Sequence, residues 1–243
     1  MTSVSTPNIL LVMAMHDEAL PIIRKLGLKD MGYLSPSYTF EHYSGHFNGI
    51  QLNLIVNGKC KVFKVDQIGT QASTLTTHLG IETFNPNVVL NAGTAGGFRS
   101  DSAQVGDVYL SYPTANYHDR RINIPGFKEY GVGVHPTYSC LGMANDLGLR
   151  TGVVTTGNSL DYTEQDMATI KSYNGVVKDM EAAAIAWVAQ QHNIPFLAIK
   201  SITDIVDGEK PTEEEFLENL HQASESLSKQ VVRVLQWLTE GGV

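Results

Sequence analysis

The chain is predicted to be an α/β protein with one mixed, twisted central sheet flanked by helices on both faces. Three observations carry this. Short continuous apolar runs at residues 8–14, 87–90 and 196–199 have the length of strands buried on both sides. Longer stretches with a three-to-four-residue apolar period lie between such runs, so strands and helices alternate. No repeat, low-complexity tract or Pro/Ser-rich linker divides the 243 residues. A single domain over 1–243 is therefore expected, with residues 1–7 a disordered N-terminus.

Residues 8–14 are the first strand. A helix follows from about Glu18 to Leu26 and is closed by Gly27. Residues 38–43 and 50–56, separated by polar residues and glycine, predict paired strands. Residues 65–79 carry a helical period. Residues 87–90 form a strand that runs into the glycine loop Asn91-Ala92-Gly93-Thr94-Ala95-Gly96-Gly97. Residues 105–111 and 151–156 are further strands. Met180-Glu181 opens an alanine-rich helix to about His192, and Asp204 follows just past the strand at 196–199. The last helix has the clearest signature. Thr212-Glu213-Glu214-Glu215 fits a capping box, the Thr212 hydroxyl accepting the Glu215 N–H while Glu215 reaches back. Phe216, Leu220, Ala223, Leu227, Val231 and Leu235 then make one apolar stripe, read as packing without a chemical role.

Composition narrows the function classes. Apolar residues are 42% and charged residues 17% of the chain, a globular balance that excludes a disordered one. The formal charge of −8 and the lack of a Lys/Arg cluster argue against a nucleic-acid partner, which leaves a small molecule. Cys60 and Cys140 are the only cysteines and have no CxxC spacing, which fits a reducing compartment. The apolar run at 9–15 is far short of the ~20 residues of a membrane span. No Lys or Arg precedes it, as a signal peptide would require. A cytoplasmic protein with no membrane partner is expected. The eight histidines are scattered without an HExxH, and the glycine loop is neither GxGxxG nor a P-loop. No metal and no cofactor are expected.

Three carboxylates stand at strand–helix junctions, where open α/β sheets place their ligand crevice. Glu18 ends Ala14-Met15-His16-Asp17-Glu18. It is either an anion favoured by the helix dipole or a general base that polarises water. Glu181, in a helix's first turn, is either a dipole-favoured anion or a carboxylate with chemistry to do, and Asp204 is either an N-cap or a second such carboxylate. The glycine loop is a tight turn or a backbone cradle presenting N–H groups and the Thr94 hydroxyl to a ligand.

Together these segments resemble the nucleoside phosphorylase/nucleosidase superfamily, and most of all its 5′-methylthioadenosine/S-adenosylhomocysteine nucleosidases. The resemblance runs from Val12-Met13-Ala14-Met15 through residues 91–97, Tyr117-His118-Asp119 and Asp179-Met180-Glu181-Ala182-Ala183-Ala184 to Thr203-Asp204. Asp119-Arg120-Arg121-Ile122 and the segment 204–212 are similar to the plant-type branch. It implies a nucleoside phosphorylase-like fold and hydrolysis of the bond between adenine and a 5-thio-substituted ribose. Asp204 then matches the acid that protonates N7 of adenine, its pKa raised by burial. Glu18 matches the base that deprotonates the attacking water, and Glu181 the carboxylate that grips the ribose hydroxyls. Thr94 falls near the reaction centre, Met180 packs on the ribose, Leu160 holds the purine, and Lys178 and Asp179 flank the ribose motif. Residues 122–127 are expected to line the 5′-thio pocket, partly across a homodimer interface.

Two rivals are weighed against this reading. A phosphorylase of the same superfamily binds a phosphate dianion with an Arg. Neutral Asn91 occupies that position here, which favours water. A non-catalytic nucleoside-binding protein is free to lose the acid or base, yet all three carboxylates are present. Bacterial members carry an aromatic residue just before the last helix, which Thr212 and Glu213 replace here. Methylthioadenosine is therefore expected to be cleaved well and S-adenosylhomocysteine weakly or not at all.

Overall fold

Ile9, Leu11 and Met13 point to one side of the first strand and Leu10 and Val12 to the other, and all five are buried. That pattern requires cover on both faces. The computed structural model describes residues 7–241. The expected disordered N-terminus falls, apart from Pro7, outside the described residues. Strand β1 (Asn8–Met13) is central, paired in parallel with β4 (Ile50–Val56) and β5 (Val88–Gly97). Its odd-numbered side chains share a core with α1 (His16–Leu26) and α7 (Thr212–Gly241). Its even-numbered ones share another with α2 (Thr70–Phe84) and α6 (Ala182–Gln191). Helices cover both faces, as the alternation predicts.

Beyond β4 the sheet ends with β3 (Glu41–Phe47) and β2 (Lys29–Tyr33), both antiparallel. On the other side the sheet closes on itself. Strand β5 pairs with β10 (Phe196–Ile205), which pairs with β6 (Val108–Tyr117), then β8 (Arg150–Thr156) and β9 (Gly175–Asp179). Strand β9 returns to Gly96 and Gly97 of β5, so five strands make a small barrel beside the open sheet. The short β7 (His135–Pro136) adds to β6, and α3 (Phe127–Val132), α4 (Leu141–Leu147) and α5 (Glu164–Ser172) fill the connections. Among the described residues no helix is long and apolar enough to cross a membrane.

Several expectations are corrected. The glycine segment 91–97 is not a loop: it is the second half of β5, hydrogen-bonded to β10 along its length. Its glycines make room for neighbours, since a Cβ at Gly97 would lie 2.6 Å from Ala103 Cβ. Strand β10 likewise runs on past residue 199 to Ile205, so Asp204 is a strand residue. The helix predicted at 65–79 begins only at Thr70, because Gly69 at φ 94° breaks the preceding segment. Strand β3 begins at Glu41 rather than residue 38 and passes through Gly45, where a side chain would meet Leu28 Cδ2 at 2.9 Å. Strand β6 lies a few residues later than predicted. The capping box at Thr212 does not form. The Glu215 N–H bonds to Pro211 O, and the Glu215 carboxylate accepts the Ile205 N–H at 2.7 Å, tying α7 to the end of β10.

Candidate active site

The barrel end of β5 and β10 carries the site. Register pairs Lys200 with Gly93, Ser201 with Thr94 and, after a bulge past Ile202, Asp204 with Gly96. A bulge re-aims the side chains that follow it. The Asp204 carboxylate turns onto the bare backbone of β5: a Cβ at Gly96 would sit 2.7 Å from Asp204 Oδ2. A side chain at Gly96 would also meet Val206 Cγ2 at 2.5 Å, so this carboxylate and Val206 together take the space. Burial pushes the Asp204 pKa up, against the Thr203 hydroxyl 2.7 Å from Oδ1 and the nearby Lys178 ammonium.

Glu18 enters from the first turn of α1 and is buried. Its Oε1 accepts the Thr94 N–H at 2.8 Å and the Thr94 hydroxyl. Burial raises its pKa, with the Thr94 bonds and Lys200 opposing. The expectation that this segment presents its N–H groups to a ligand is corrected here, since the Thr94 N–H and hydroxyl face Glu18. Glu181 is the N-cap of α6, and its Oε1 accepts the N–H of Gly69, the N-cap of α2, at 2.9 Å. Burial raises the Glu181 pKa to about 7 despite Lys200 nearby.

Lys200 is absent from the sequence-based candidates. Its ammonium is 0% exposed and lies 2.7 Å from Asp179 Oδ2 and 3.9 Å from Glu181 Oε2. Burial alone would lower its pKa, but Asp179, Glu181 and Glu18 outweigh that and raise it. A signal existed: the apolar strand Phe196-Leu197-Ala198-Ile199 is followed directly by lysine, and lysine is almost never fully buried unless paired. Asp179 is occupied structurally, its carboxylate accepting the N–H groups of Glu181 and Ala182 and the Thr156 hydroxyl.

These groups surround one cavity of about 520 Å³, lined by every candidate residue: Glu18, Thr94, Leu160, Lys178, Asp179, Met180, Glu181 and Asp204. Lys178 donates to the carbonyls of Ser159 and Leu160 at 2.8 and 2.9 Å, fixing that loop, and burial lowers its pKa. Three further parts of the wall are new. Lys59, Lys64, Val65, Asp66 and Ile68 come from the β4–α2 connection, Val206 from the end of β10, and Phe216 from α7. The apolar stripe of α7 is thus not packing alone, and an aromatic does reach the cavity from the first turn of that helix. Residues 122–127 do not line this cavity. Asn91 is buried, and its side-chain amide donates to Val12 O at 3.0 Å. Among the described residues one group of His, Cys, Asp or Glu has ligand atoms within 4.8 Å of one another: His78, Glu82 and His192, outside the cavity.

The family model for the phosphorylase superfamily matches residues 8–236. A 5′-methylthioadenosine nucleosidase of Arabidopsis thaliana is 37% identical over 95% of this chain and 87% of its own length. A 5′-methylthioadenosine/S-adenosylhomocysteine nucleosidase of the same plant is 36% identical over 96% of this chain and 92% of its own. The apo structure of an Arabidopsis thaliana 5′-methylthioadenosine nucleosidase superposes with a TM-score of 0.94 at 36% identity, covering 98% of each chain. The chain belongs to the phosphorylase superfamily, within its methylthioadenosine nucleosidase family.

Proposed function

We propose that this chain is an N-glycosyl hydrolase that cleaves 5′-methylthioadenosine to adenine and 5-methylthioribose. One observation carries the reading: three buried carboxylates in different surroundings face one cavity of nucleoside size. Asp204, disposed to hold a proton, donates it to N7 as the C1′–N9 bond breaks, so adenine leaves neutral. Glu18, held by Thr94, takes a proton from the water whose oxygen bonds to C1′. Glu181 accepts bonds from the ribose hydroxyls and stabilises the positive charge developing on the sugar. The Thr203 hydroxyl serves Asp204 in both states. It donates to the carboxylate, or accepts from the carboxylic acid while donating to Ala95 O, 3.2 Å away.

The remaining candidates take supporting roles. Thr94 orients Glu18, Lys178 fixes the backbone at Leu160 against the purine, Met180 packs on the ribose, and Asp179 holds α6 and Lys200. Two features favour water over phosphate. Asn91 is neutral and spent inside the sheet, and Lys200 is committed to Asp179. The protein acts as a homodimer. The cavity-mouth connection exposes Val62 and Phe63, each 77% accessible, and Ile124 and Phe127 are 57% and 53% accessible. In a dimer the segment 122–127 closes the thio pocket of a second copy. S-adenosylhomocysteine is cleaved weakly or not at all. Its charged tail would have to pass Val65, Ile68, Val206 and Phe216, where only Lys59, Lys64 and Asp66 of the wall offer charge, and any tail charge left unpaired there costs several kcal/mol.

The test is adenine release from methylthioadenosine with and without phosphate, for the wild type and Asp204→Asn. Phosphate-independent release is expected, with turnover of the variant lower by ~10²–10⁴-fold. A phosphate requirement, or a variant that keeps about a tenth of wild-type turnover, contradicts the assignment.

A further inference from the structure

Helices α2 and α6 meet twice. At their N-termini the Gly69 N–H reaches Glu181 in the cavity; toward their C-termini, His78 and Glu82 of α2 face His192, the C-cap of α6. His78 and Glu82 are four residues apart and so share a helix face. In sequence, the two histidines are too far apart to suggest a motif.

We propose that His78 and His192 form a binding site for a divalent transition-metal ion of the zinc or nickel type. The geometry fits such an ion. His78 Nδ1 and His192 Nε2 lie 3.4 Å apart. Two imidazole nitrogens at about 2.0–2.1 Å from a tetrahedral zinc are about 3.3–3.4 Å apart. The Glu82 carboxylate is placed to orient the second ligand, its Oε1 3.7 Å from His192 Nδ1. One ring cannot give both nitrogens to one ion. Glu82 therefore accepts from Nδ1–H after a small rotation, which fixes the tautomer that leaves Nε2 free for the metal. His78 and Glu82 are exposed, so water can fill the remaining coordination positions. Imidazole donors select zinc, nickel or copper over magnesium and calcium, which prefer oxygen. The bound ion clamps the two helices at the ends away from the cavity, and the inference does not depend on the nucleosidase reading.

The test uses the whole, untagged protein, freed of metal with a chelator and titrated calorimetrically with Zn²⁺, with Mg²⁺ as control. One Zn²⁺ per chain is expected, with affinity reduced tenfold or more by His78→Gln and by His192→Gln. Glu82→Gln is expected to lose about tenfold through the orienting bond. Zn²⁺ at a hundred times the wild-type Kd should raise the wild-type Tm by about 5–10 °C, and the same concentration should raise that of either histidine variant by no more than about half as much. His78 and Glu82 are exposed and His192 half-buried, and equal metal-free Tm values would verify that the substitutions leave the fold intact. No saturable Zn²⁺ binding, or less than tenfold weakening in both histidine variants, overturns the proposal.

Discussion

Lys200→Met probes the charge balance beneath the cavity. The ammonium is fully buried between Asp179 at 2.7 Å and Glu181 at 3.9 Å. With an effective dielectric of about 20, these separations correspond to gross attractions of about 6 and 4 kcal/mol. Much of that offsets the cost of taking all three groups out of water. What the variant adds is the penalty for leaving buried carboxylates unpaired, about 3–5 kcal/mol. For a chain of this length, 1 kcal/mol shifts Tm by about 2–4 °C, so a drop of about 6–20 °C is expected. Methionine keeps the volume and apolar stem, which isolates the charge. The loss should also depend on pH: the unpaired carboxylates can take up protons in acid, so the gap to wild type should narrow from pH 8 to pH 5.5. Thermal unfolding across that range measures both. A drop under about 3 °C, or a gap independent of pH, would refute the view that Lys200 neutralises this cluster.

Three other outcomes follow from the same geometry. Glu181 has an ordinary pKa of 4.5 raised to about 7 in the fold. Folding thus favours its protonated form, a contribution complete below about pH 4.5 and lost as pH rises through about 7. It amounts to about 3 kcal/mol, so the Tm of wild type should fall more steeply than that of Glu181→Gln between pH 5.5 and pH 8; parallel curves would contradict it. Light scattering at micromolar concentration should give the mass of a dimer, and Phe63→Glu should yield monomers with impaired turnover; a monomeric wild type removes the shared pocket. The kcat/KM for methylthioadenosine should exceed that for S-adenosylhomocysteine by more than tenfold, and values within about threefold would reject the argument from burial of the charged tail.

The alternation of apolar runs and helical periods was enough to read the layered α/β architecture, because those patterns report which faces are buried. What it could not report was where strands end. Residues 91–97 look like a loop because glycine has low strand propensity, yet β5 continues through them where neighbouring side chains occupy the space a Cβ would take. Closure of β5, β10, β6, β8 and β9 into a barrel is a tertiary property of pairings far apart in sequence, with no local signature. Thr212 illustrates the opposite error. A local motif was present, but the Glu215 carboxylate accepts the part-buried Ile205 N–H instead of bonding to its own helix end.

The site divides along similar lines. Glu18, Glu181 and Asp204 were legible because each lies in a recognisable short motif, Glu18 and Glu181 at strand–helix junctions and Asp204 near the end of a strand. Lys200 was not, because its place inside an apolar strand looks like a break in the pattern and not like part of a site. Yet Lys200 makes the surroundings of the carboxylates differ. Asp179 and Glu181 lie within reach of its charge, whereas Asp204 sits beyond the bulge beside the weaker cation Lys178. Two carboxylates in one cavity can take different parts only if their surroundings differ. Burial raises both pKa values, but at Glu181 it is opposed by the buried Lys200 and at Asp204 by the Thr203 hydroxyl and Lys178, so the pairing pattern of β10 gives the two carboxylates different surroundings.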